Sequence, residues 1–227
     1  MLDFVGTIAI AALTVFLVGA LLVSLDILRG AKLVLAALLG LWIGVAAAAA
    51  AAGVMAMTKP FPLIGPFVVV PLVAAALAAA WPDGRRAMLG LPLSLLIGLN
   101  AGRVFALLFL LLAAEGRLSG PFPYSAGWGD IITGAVALPM LWLVLADGRQ
   151  TTVLHLWNAF GMADLVIAIA LGVMSAAGSS LQVFPAPGSE AMQHLPWSFV
   201  PTVLVPLWMV MHVIIWVQLR QRAARAL

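Results

Sequence analysis

The chain has 227 residues, 65% of them hydrophobic and only 8% charged, with no cysteine. Soluble domains are about a quarter charged, so a soluble globular fold is excluded; without cysteine there are no disulfides, thiolate nucleophiles or cysteine-held metals. The formal charge of +3 is scattered along the chain, so a nucleic-acid partner is excluded and a lipid bilayer is the expected one.

The segment Met1-Leu2-Asp3-Phe4 lacks the positive n-region of a cleaved signal. The apolar stretch that follows, 4–25, therefore reads as a retained first span. Six further stretches reach the roughly 17–25 residues a spanning helix needs: 32–57, 65–81, 88–114, 130–146, 151–177 and 198–220. Turn signals separate them, such as Lys59-Pro60-Phe61-Pro62, Pro82-Asp83-Gly84 and Asp147-Gly148-Arg149. Hydrocarbon offers the backbone no partners, so these spans are predicted to be helices.

In a seven-span arrangement Arg29, Lys32, Arg85, Arg86, Arg149, Arg220, Arg222 and Arg225 fall on one side, and Lys59 and Arg117 on the other. The positive-inside rule then sets the N-terminus outside and the C-terminus in the cytoplasm. The fold expected is an all-α integral membrane protein with seven transmembrane helices in a single transmembrane bundle. Residues 1–87 form apolar scaffold spans, and residues 88–227 carry the polar ones. Two longer loops, 115–128 and 178–197, lie outside, where Tyr124, Trp128 and Trp197 suit an aromatic belt.

Span four has small residues at Gly90, Ser94, Gly98, Gly102 and Ala106, a stripe that lets another helix approach closely. Asn100 and Arg103 lie one turn apart on it. Asp130 enters span five from the outside, and Asp164 lies in span six. A charge at the middle of a membrane helix costs roughly 2.5–3.5 kcal/mol even on the gentlest scale, so Arg103, Asp130 and Asp164 are expected to pair. One cation facing two carboxylates leaves a surplus negative charge, open to a proton or a cation. His155, Asn158, Gly161 and Asp164 follow each other at steps of three on span six, a row that winds about half way round the helix. It either joins an inner compartment to the charges or faces several different neighbours.

His155 and His212, on spans six and seven, are the candidate ligands for a metal or a b-type haem. Depth counting places them in a layer inside that of Arg103. Pro206 is expected to kink span seven and free a carbonyl. The chain has no Walker, dinucleotide, HExxH or nucleophile-elbow motif, so no catalytic residue is assigned.

The segments Gly127-Trp128-Gly129-Asp130-Ile131, Trp157-Asn158-x-x-Gly161-x-x-Asp164-Leu165 and Leu195-Pro196-x-Ser198-x-x-Pro201-Thr202-x-x-Val205-Pro206, with Arg103 and His212, resemble a family of small uncharacterised bacterial polytopic membrane proteins. The resemblance covers about residues 100–212. Where the family pattern has a histidine ahead of the arginine, this chain has Asn100. The resemblance implies a bacterial inner-membrane protein and names no activity.

From the residues, three functions compete. One is a transporter or ligand sensor whose pocket of Asn100, Arg103, Trp128, Asp130, Trp157, Asn158 and Asp164 takes a small molecule, cation or proton. The second is a redox protein holding haem or metal at His155 and His212. The third is a structural subunit of a membrane assembly, whose buried charges only fix packing. Self-association into a homo-oligomer is compatible with all three.

Overall fold

The computed structural model describes residues 1–146 and 151–225, and every regular element among them is helical. The turn expected at Asp147, Gly148 and Arg149 lies outside the described residues, as does the side chain of Arg225.

Helices α1 (Leu2–Ser24) and α2 (Arg29–Ala51) have 23 residues each. At ~1.5 Å per residue each is ~34 Å long, enough for a hydrocarbon core of ~30 Å. Helix α2 stops short of residue 57 because Gly53 turns left-handed at φ 73°. Helix α3 (Ile64–Ala80) runs close to the expected third span. Pro82 then opens α4 (Pro82–Leu89), and the two helices meet at 105°.

The fourth span starts at Leu93, not at residue 88, because Pro92 has no N–H and holds the preceding chain out of helical geometry. It consists of α5 (Leu93–Leu99), a 3₁₀ segment over Asn100–Ala106, and α6 (Leu107–Ala114). Helix α7 (Phe122–Ala146) starts well before Asp130, with Pro123 in its first turn, where a missing N–H costs nothing. The loop ahead of it is therefore shorter than expected, and Asp130 sits inside the helix. Helix α8 spans Thr151–Met174, and a π-helical turn over Val200–Leu204 leads into α9 (Val205–Arg225).

Six helical units are long and apolar enough to cross a membrane: α1, α2, α5 to α6, α7, α8, and the π-turn with α9. Helices α3 and α4 form a bent pair. The chain is thus a multi-pass membrane protein. Only Ala46 and Ala50 of α2 are buried, and Phe16, Leu38, Trp142 and Leu156 point outward, as a lipid-facing surface requires.

Helix α7 packs against the fourth span and α8, and α8 packs on α9. The expected small-residue stripe of span four is divided. Gly90 lies outside the span, the bare face of Gly98 looks toward Leu141 of α7, and that of Gly102 receives Leu13 of α1. One end of the bundle is closed by residues 175–199, which fold back so that Met192, Gln193, Trp197 and Ser198 are buried. Trp197 lies against Gly6, where a Cβ would come within 2.5 Å of its ring. Its indole donates to Asp3 Oδ1 at 2.7 Å, and Arg117 reaches the same oxygen at 2.8 Å. Ser180 Oγ donates to Pro60 O at 2.6 Å, bringing the loop after α2 to this end too. At the opposite end Gln218 Nε2 donates to the carbonyls of Leu89 and Leu91, holding the break between α4 and α5 against α9.

Candidate functional site

The centre of the bundle is built around Arg103, whose guanidinium is inaccessible to solvent. It lies ten residues into a span of 22, ~15 Å from either end. Its Nε donates to Asp130 Oδ1 at 2.5 Å and its Nη2 to Asp164 Oδ2 at 2.7 Å. Its Nη1 donates to Gly161 O at 3.1 Å and lies 2.9 Å from His212 Nε2. The guanidinium carbon also stands 6.0 Å from the ring centroid of Trp208, at the edge of cation–π range.

These contacts fix the state of His212. Arginine has donors only, so Nε2 must accept. The ring proton is then on Nδ1, 2.8 Å from Asn158 Oδ1. Asn158 Nδ2 in turn donates to the carbonyl of His212 at 3.0 Å, so the amide and the ring orient each other. Trp157 lies beside this pair, its ring tilted 51° to that of His212 with the centroids 5.7 Å apart, and its indole donates to Thr133 O at 3.0 Å.

Close backbone approach makes the cluster possible. A Cβ at Gly129 would strike the carboxylate of Asp164. One at Gly161 would come within 2.6 Å of the His212 ring and 2.8 Å of Thr133 Cγ2. The two glycines bring α7, α8 and α9 near enough for one guanidinium to reach all three.

The structure therefore brings together Arg103, Asp130, Asn158, Asp164 and His212, with Trp157 as a wall. The histidine belongs to the same layer as the arginine, not to an inner one. Depth counted back from Arg220 misplaced it because α9 continues to Arg225. His155 packs edge-on against Trp216 at 5.2 Å between ring centroids. Both nitrogens of His212 are engaged by Arg103 and Asn158, so the pair does not fit an axial haem or metal ligand set.

Trp128 is 55% exposed and stands outside the cluster. Asn100 is fully buried but serves its own helix. Where α-helix gives way to 3₁₀, its backbone N–H turns to Ile97 O, and its Nδ2 takes the Leu96 carbonyl at 2.9 Å. Sequence reasoning did not select Gly129, Trp208 or the Gly161 carbonyl as part of the site. The available signal was a glycine one or three residues before each membrane-buried aspartate.

The fold and this centre define a multi-pass helical membrane protein with a buried ionic core. A family model described as a domain of unknown function, DUF8737, matches residues 60–220, and the chain belongs to that family. The match includes every residue of the cluster. No curated protein and no solved structure matches the chain.

Proposed function

We propose that the protein is a small transporter or ligand sensor of a bacterial inner membrane, with Arg103, Asp130 and Asp164 forming its proton- or cation-binding centre. The observation that carries this reading is the charge balance at a single guanidinium. Two carboxylates share it at 2.5 and 2.7 Å, and His212 faces it as a neutral acceptor. With both carboxylates ionised the centre holds one surplus negative charge. In the middle of a membrane, such a charge calls for a proton or a cation, and buried ionisable groups of this kind mark proton relays and ion paths.

The wider reading is a seven-span bundle in which α3 crosses the membrane, the N-terminus lies outside and the C-terminus lies in the cytoplasm. It is supported by the distribution of basic residues and by the gathering of Asp3, Pro60, Arg117 and the 175–199 loop at one end. The outward apolar faces of α1 and α2 suit lipid, and equally a second copy of the chain.

Infrared difference spectroscopy of the protein in nanodiscs tests the centre. Acidification is expected to raise a protonated-carboxyl band that monovalent cations suppress and that Asp130→Asn or Asp164→Asn alters. If no band assignable to either residue responds to pH or to cations, the reading falls.

A further inference from the structure

A cavity of about 240 Å³ lies between α3, α7, α8 and the π-turn, roofed by Ser189 to Gln193. Its wall is hydrocarbon, from residues such as Val68, Phe122, Leu165, Ile169 and Val205. Three polar side chains line it: Asp130, Ser189 and Gln193. Ser189 Oγ already donates to Gly172 O at 2.7 Å. The other two are unfinished. Asp130 gives Oδ1 to Arg103, and its Oδ2 has no hydrogen-bond partner among the described residues. Gln193 is only 4% exposed, yet its amide has no hydrogen-bond partner among the described residues.

An unpartnered carboxylate oxygen and an unpartnered amide, on two buried residues that line an apolar cavity, call for a particular occupant. The body must be apolar to suit the wall. The head must donate to a carboxylate, since Oδ2 can only accept when ionised. The surplus charge of the ionic centre selects a cation over a neutral donor and rejects an anion. At ~30 Å³ for each water-sized group, the space holds about eight non-hydrogen atoms.

We propose that this cavity binds a small amphiphilic ammonium ion, its hydrocarbon tail among α3, α7 and α8 and its N–H groups on Asp130 Oδ2, with the Gln193 amide as a second hydrogen-bonding group in the roof. The proposal rests on the ionic-centre reading above and names the class of ligand served by that centre. A charge-assisted hydrogen bond in an apolar-walled site gives the head group its selectivity.

The test is calorimetric titration of the protein in nanodiscs with n-hexylamine hydrochloride, 1-hexanol and sodium hexanoate, each corrected against empty nanodiscs. Hexylamine is expected to bind saturably, hexanol about tenfold more weakly, and hexanoate not at all. Asp130→Asn removes the preference for amine over alcohol. Ala168→Leu fills the cavity from the half-buried face of α8, one turn beyond Asp164 and at a residue that makes no polar contact with the ionic centre, and abolishes binding of both. Its infrared carboxyl response stays that of the wild type, which shows the variant folded and the ionic centre intact. Equal binding of amine and alcohol, no saturable amine binding by the wild type, or unchanged binding in a folded Ala168→Leu each overturns the proposal. An unchanged infrared response beside any of these leaves the ionic centre standing, so the two readings fail separately.

Discussion

Arg103 commits four of its N–H groups to four different acceptors, on α7, α8 and α9. Removing it strands two carboxylates in hydrocarbon, whereas removing one carboxylate as its amide leaves the centre neutral. Arg103→Leu is therefore expected to cost about 3–5 kcal/mol, the range for breaking a buried pair by deleting one partner. Asp164→Asn keeps shape and hydrogen bonding and is expected to lose much less. Denaturation midpoints in one detergent check the order, and equal losses would show that the arginine is not held by charge. The convergence of Arg103, Asp130 and Asp164 was legible in the sequence, because ionisable groups inside apolar spans have to find each other. The place of His212 was not. Its depth depends on where α9 starts and stops, and a π-turn at one end with an extension to Arg225 at the other moves both limits.

Two irregular segments, the 3₁₀ stretch over Asn100–Ala106 and the π-turn over Val200–Leu204, lie in the spans that carry Arg103 and His212. Each leaves carbonyls that a regular α-helix would satisfy, and a side chain takes one of them in each case, Asn100 on its own helix and Trp42 from α2. Pro206 cannot donate to Thr202 O one turn back, and the Trp42 indole of α2 does so at 3.1 Å. The sequence announces the proline and the freed carbonyl, but not the donor, which lies 160 residues away. Trp42→Phe keeps a ring against Phe67, now 5.6 Å between centroids, and deletes only the donor side of the indole. It is expected to destabilise by about 1–3 kcal/mol, the cost of a buried unsatisfied acceptor. Pro206→Ala restores an N–H near the orphaned carbonyl, so the double variant is expected to lose less than the sum of the singles. Strict additivity in unfolding measurements would mean that the indole bond and the proline are unrelated. The 3₁₀ segment was equally hidden, since Leu93 to Ala114 reads as one uniform apolar run, and only the turn of Asn100 onto Leu96 O marks it.

The topology of the whole molecule turns on α3. With 17 residues it reaches ~25 Å, short of a full hydrocarbon core unless the bilayer thins or flanking residues extend it. Its two ends are tied to opposite ends of the bundle. Before it, Pro60 accepts from Ser180 beside the loop that buries Trp197. After it, the chain bends into α4, whose eight residues include no buried one, and the α4 to α5 break is held by Gln218 near the end of α9. A short helix with Asp83, Arg85 and Arg86 exposed suits the headgroup layer, and the 105° bend would lay it along that surface. The seven-span reading proposed above therefore expects Lys59 and Asp83 on opposite sides of the membrane. The cysteine-free chain makes the test direct: single Lys59→Cys and Asp83→Cys variants are treated with a membrane-impermeant maleimide in intact and in permeabilised cells. Lys59→Cys is expected to label in intact cells and Asp83→Cys only after permeabilisation. Labelling of both from the same side would mean that α3 does not cross, and the span count would then be six.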